Sequence, residues 1–142
     1  MIHPVGALED FAPGSISIID IAGRSIGIVN AGDALYAVLN ICPHALAPVC
    51  EGRLTCTLLP SEPGRAVWGM DGRILRCPWH GFEFDLANQG QTVFTSFTAR
   101  VRMFPVVVAD GEVGVDLPAG PAPPARSHRQ ARPATPAASL RD

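Results

Sequence analysis

The sequence predicts an all-β domain, an antiparallel sandwich or barrel. Runs of β-branched residues of strand length recur between residues 15 and 117, and Gly- or Asp-Gly-containing turn signals separate them. No amphipathic stretch of convincing helical length interrupts the pattern, apart from a short turn expected at Gly6–Asp10. The chain of 142 residues has room for one domain with a real core.

Taken in order, "SISIIDIAG" and "RSIGIVNAG" read as two strands meeting at Gly23, and "ALYAVLNI" follows the turn signal Gly32-Asp33. "AVWGM" and "RILRC" flank Asp71-Gly72, which reads as a two-residue hairpin because both positions tolerate positive φ. "ARVRMFPVVV" and "EVGVDL" flank Asp110-Gly111 in the same way. The ordered domain is expected over residues 1–118. Beyond it, "GPAPPARSHRQARPATPAASLRD" is rich in Pro, Ala and Arg, with almost no large apolar residue. It cannot bury enough surface to offset its ordering entropy, so 119–142 is expected to be a disordered tail.

Residues 1–120 hold seven Arg against twelve Asp plus Glu, whereas residues 121–142 hold four Arg against Asp142. An acidic domain argues against nucleic acid as a partner and favours proteins with a basic docking face. No window reaches the length of a transmembrane helix, and "MIHPVGALEDF" lacks the apolar region of a signal peptide, so the expected compartment is the cytoplasm, with no membrane association. Four cysteines in a reducing compartment point to ligands or buried apolar side chains before disulfides.

Two segments break the strand pattern. "NICPHALAPVCEG" contains Cys42-x-His44, and "RCPWHGF" contains Cys77-x-x-His80, with thirty-two residues between His44 and Cys77. Each offers one thiolate and one imidazole, follows a strand-like run and places Pro directly after Cys, where it fixes φ and supplies no N–H. A c-type haem is excluded because Cys-x-x-Cys-His does not occur. Structural zinc remains chemically open, although its usual spacing pairs Cys with Cys and His with His. A two-iron cluster with both thiolates on one iron and both imidazoles on the other needs the mixture found here.

The double motif, "CPH" at 42–44 and "CPWHG" at 77–81 followed by "FEFDL", resembles the Rieske [2Fe–2S] domain, and the likeness extends over roughly residues 5–118. The resemblance implies an antiparallel Rieske-type β-sandwich whose cluster-binding subdomain is formed by two loops. It implies that Cys42 and Cys77 bind one iron of a [2Fe–2S] cluster and that His44 and His80 bind the other, at the outer tip. Respiratory members add a disulfide at positions that here are Ala47 and Trp79, and a Ser hydroxyl at the position of Phe82. With neither device, the chain resembles the ferredoxin and oxygenase branch, and a reduction potential in the lower half of the Rieske range of roughly −150 to +300 mV is expected. The connection between the motifs is longer than in compact Rieske ferredoxins, the excess falling around "CTLLPSEPGRAVWGMDGR".

Other residues carry two meanings. Cys50 is either a thiol near the cluster or a buried small side chain, the second being the commoner role of a free Cys, and Cys56 is treated alike. Trp79 and Phe82 pack over the cluster or serve as core aromatics; Trp68 and Tyr36 are assigned to the core. Arg53, Arg73 and Arg76 line a docking face or a solvated surface. His3 and His128, placed in an N-terminal arm and the tail, receive no role.

Three functions compete. The first is a one-electron carrier, a Rieske-type ferredoxin passing electrons from a reductase to an oxygenase or similar acceptor. The second is a non-catalytic Rieske subunit of a larger oxidoreductase, of the oxygenase or nitrite reductase small subunit type. The third is a structural zinc module. Activity on its own is not expected: only two further His remain for a mononuclear iron, and no Gly-rich nucleotide fingerprint occurs.

Overall fold

The computed structural model describes residues 1–43, 46–59, 61–79, 81–93 and 98–118. The tail expected over 119–142 lies outside the described residues, as does His128. Strand β1 is Ile2–Ala7, followed by a 3-10 turn at Leu8–Asp10; then come β2 (Ile16–Ile21), β3 (Arg24–Asn30) and β4 (Leu35–Leu39). A second 3-10 turn, Val49–Glu51, precedes β5 (Arg53–Leu59) and β6 (Val67–Arg76). After β7 (Glu83–Asp85) a third such turn spans Leu86–Asn88, and β8 (Gln91–Thr92), β9 (Met103–Phe104), β10 (Val106–Ala109) and β11 (Glu112–Asp116) complete the described elements. No described helix is long and apolar enough to cross a membrane.

All pairings between these strands are antiparallel and form three sheets, ordered β1-β11-β10, β2-β3-β4-β9 and β5-β6-β7-β8. The second sheet lies between two cores. Ile26, Ile28 and Ala37 point into one core with Phe104, Val113, Val115 and Leu117, whereas Val29 and Val38 point into the other. The second core also holds Cys42, Ala47, Val49, Cys50, Leu75, Cys77, Phe84, Leu86 and Val101. Burial on both faces is why "SIGIV" reads as a near-continuous apolar run instead of alternating. The fully buried Phe84, Leu75 and Leu86 each contribute roughly 1.5–3 kcal/mol relative to exposure.

The hairpins expected at Gly23 and Asp110-Gly111 form, with Ala22 and Gly23 at φ 52° and 82° and Asp110 and Gly111 at 53° and 77°. Both residues at positive φ match the right-handed strand twist. Asp71-Gly72 does not turn the chain. Thr55 pairs with Ile74 and Thr57 with Gly69, so four residues of β6 stand opposite Cys56 in a wide bulge. Met70 (57°) and Gly72 (73°) supply positive φ there, and a bulge and a turn ask for the same residue types. The strands on either side of Asp71-Gly72 both pair with β5, so they do not pair with each other. The actual turn between β5 and β6 uses Gly64 at φ 81° and a bond from the Arg65 N–H to the Glu62 carbonyl (3.0 Å).

Two other expectations are corrected. His3 lies in β1, opposite Val115, and not in an arm; the register shift between Pro4 and Gly6 accommodates a proline that masks the strand in the sequence. Trp68 is 60% exposed on the β5–β6 arm and is not core. Tyr36 is half-buried and packs against the core around the cysteines, as expected.

Asp85, 2% exposed, fixes the third sheet. It accepts bonds from Arg73 Nε (2.9 Å) and Nη2 (2.7 Å) and from the Ala87 N–H (3.1 Å), which caps the turn leading to β8. Tyr36 faces the same charges: burial first, then Asp33 and Asp85, raise its hydroxyl pKa, and Arg73 opposes them. Replacing Arg73 with Leu leaves a buried carboxylate without its cation. We expect about 2 kcal/mol lower stability in denaturant unfolding, and an unchanged midpoint would show that the pair contributes nothing.

Candidate metal centre

The two motif loops are built alike. In the first, which leaves β4, the Cys42 N–H donates to the Ala47 carbonyl (2.7 Å), and the Leu46 N–H donates to the Cys42 carbonyl (2.8 Å). In the second, between β6 and β7, the Cys77 N–H donates to the Phe82 carbonyl (2.8 Å), and the Gly81 N–H donates to the Cys77 carbonyl (3.0 Å). Each ring opens with Cys-Pro and closes five residues later through a left-handed residue, Leu46 at φ 60° or Gly81 at φ 71°. Cys42 is 0% exposed and Cys77 1%, both in the same core. His44 and His80 lie outside the described residues.

Neighbours hold the loops together. A Cβ added at Gly52, just past the first loop, would stand 1.8 Å from the Arg76 carbonyl oxygen and 3.1 Å from Pro78 Cδ. Only glycine lets the exit of one loop touch the root of the other. Asn40 Oδ1 accepts the Cys50 N–H (2.8 Å), tying the end of β4 to the turn beyond the first loop. The sequence reading missed Gly52 and Asn40. A glycine directly before a strand is the only signal for the first, and Asn40 carries none.

Cys50 is 3% exposed, and its Sγ approaches the Val38 carbonyl (3.6 Å). A Cβ on Gly27 would meet that sulfur at 2.4 Å, so the thiol occupies the space that glycine leaves. Burial pushes the thiol up to about 12 from 9.0, with Glu51 adding and the bond involving the Gly27 backbone opposing. Such a thiol is a packed side chain and not a reactive one. Cys56 is half-buried, opposite the bulge. Trp79 and Phe82 are half-buried against the core that contains Cys42 and Cys77, as the core reading expects.

The donor chemistry fits a [2Fe–2S] group on the described half: two buried thiols sit in equivalent loops packed together. Leu46 adopts a conformation that disfavours a side chain. Gly81, in the same conformation, has no side chain to strain, so Gly81→Ala is expected to destabilise the domain by about 1 kcal/mol, read from thermal melts, and an unchanged melt would contradict this. Cys50 makes a separate prediction. The folded thiol stays protonated while the unfolded chain ionises near pH 9, so stability falls as pH rises from about 9 toward 12. Between pH 8 and 10 the loss is about 1 kcal/mol. Cys50→Ser should flatten that decline, and an equal decline in the variant would assign it elsewhere.

Comparison with known proteins bears on the fold and the family. The chain is 30% identical over 112 residues to ferredoxin CarAc of Metapseudomonas resinovorans, covering 78% of this chain and 89% of the relative. It is 24% identical over 111 residues to the ferredoxin component of the naphthalene 1,2-dioxygenase system of Pseudomonas putida, covering 78% and 90%. The ferredoxin of carbazole 1,9a-dioxygenase from Nocardioides aromaticivorans superposes with a TM-score of 0.60 at 27% identity, over 79% of this chain and 95% of that one. A ferredoxin solved in complex with its oxygenase in carbazole 1,9a-dioxygenase gives 0.62 at 28%, over 80% and 91%. Residues 1–105 match the profile of the Rieske [2Fe-2S] domain. With its paired Cys loops on an antiparallel β framework, the chain belongs to the Rieske [2Fe–2S] domain family.

Proposed function

We propose that Cys42, His44, Cys77 and His80 hold the cluster and that a reductase and an oxygenase are the partners between which the electron moves. The chain is a one-electron carrier of the Rieske ferredoxin type. The burial of Cys42 and Cys77 in two loops with the same hydrogen-bond closure supports this assignment most strongly. The named relatives, a ferredoxin and the ferredoxin component of a dioxygenase system, support it over a non-catalytic Rieske subunit of a larger oxidoreductase.

When bound, the [2Fe–2S] group supplies a single-electron couple. The protein's part is to hold its thiolates dry and fixed. Pro43 and Pro78 restrict the backbone after each Cys, and the ring bonds occupy the Cys N–H and carbonyl groups. Trp79 and Phe82 limit water at the second loop. Neither a disulfide between the loops nor a hydroxyl at residue 82 is available from the sequence to raise the potential, so a value in the lower half of the family's range is proposed.

The assignment is tested by electron paramagnetic resonance of the dithionite-reduced protein. Cys77→Ser is expected to abolish the rhombic signal of a mixed-ligand cluster, whereas Cys50→Ser retains it. A signal that survives in Cys77→Ser would remove that residue from the ligand set.

A further inference from the structure

The roots of both loops carry a row of charge. In register across the third sheet, Arg53 stands opposite Arg76, and Arg76 opposite Glu83. Arg53 follows Gly52, and Arg76 directly precedes Cys77. Like charges placed opposite each other on neighbouring strands are destabilising. Glu83 answers one of the two through Arg76 Nη2. Among the described residues Arg53 has no carboxylate within ion-pair distance, even though Glu51 is two residues away. Arg76 Nε is buried without an acceptor, a further cost at the same place.

The wider charge distribution points the same way. Residues 42–93 carry four Arg against five acidic residues, whereas the rest of residues 1–118 carries three against seven. The acidic excess therefore lies outside the stretch of chain that carries the two loops, which is close to neutral. Such a separation orients an approaching charged surface.

We propose that Arg53 and the exposed part of Arg76 dock a carboxylate-bearing segment of the redox partner at the roots of the two Cys loops. This rests on the carrier reading and narrows its partner. The net acidity of residues 1–120 favours a basic docking face, but the charge at the roots of the two Cys loops reverses that expectation locally. Arg53 is exposed and its guanidinium is accessible for bidentate pairing with a carboxylate, whereas Arg76, with Nη2 on Glu83 and Nε buried, adds positive charge beside it.

The test uses the dithionite-reduced holoprotein, reoxidised in a stopped-flow instrument by anionic hexacyanoferrate(III) or cationic tris(phenanthroline)cobalt(III). Each oxidant accepts one electron per reduced protein. Between about 10 mM and about 0.5 M salt, the anionic reaction is expected to slow at least about threefold and the cationic one not to slow. Arg53→Glu should flatten or reverse the anionic dependence with the visible spectrum unchanged, and Arg53→Gln should fall between. An anionic reaction that speeds up with salt, equally in wild type and Arg53→Glu, would overturn the proposal. A second readout needs no electron transfer: anisotropy of a labelled hexaglutamate peptide should show binding at low salt that weakens at least about fivefold in Arg53→Glu. Equal binding by both proteins would also overturn it. A colourless purified protein would instead refute the carrier reading, and the peptide titration would still decide the role of Arg53.

Discussion

The contact between Gly52 and the carbonyl of Arg76 is the constraint on which the site depends. It brings the exit of the first loop against the root of the second, and no residue with a Cβ fits there. Once the roots touch, two loops far apart in sequence share one core, and Cys42 and Cys77 are buried in it together. The matching ring closures then give each Cys the same backbone setting. The geometry comes from packing between loops and not from the motifs alone.

That packing is set on a sheet buried on both faces. Gly27 on β3 leaves space for Cys50, Val29 and Val38 face the cysteine core, and Ile26, Ile28 and Ala37 face the other core. Asn40 and the Arg73–Asp85 pair anchor the elements on either side. The protein thus places a rigid, apolar wall behind the two thiols and leaves the charged groups at the loop roots outside it.

Much of this was legible in the residues. Cys-Pro followed by His, occurring twice, marked both loops, and positive-φ turns at Ala22-Gly23 and Asp110-Gly111 matched the sequence signals. Asp71-Gly72 misled because a bulge and a hairpin need the same backbone freedom; only the pairing partner distinguishes them, and that partner, β5, is remote in sequence. Pro4 and Gly6 interrupt the pattern of β1 and hide it in the sequence, and the exposure of Trp68 is hidden because aromatic identity says nothing about which side of a strand pair it occupies. Gly52 and the Arg53–Arg76–Glu83 row were hidden for the same reason: both exist only across strands.

A [2Fe–2S] cluster and a single structural ion leave different elements on the purified chain, so iron, zinc and acid-labile sulfide measured together decide between them. Two iron and two sulfide per chain are expected, as a [2Fe–2S] cluster requires. One zinc per chain with no labile sulfide would rule the cluster out.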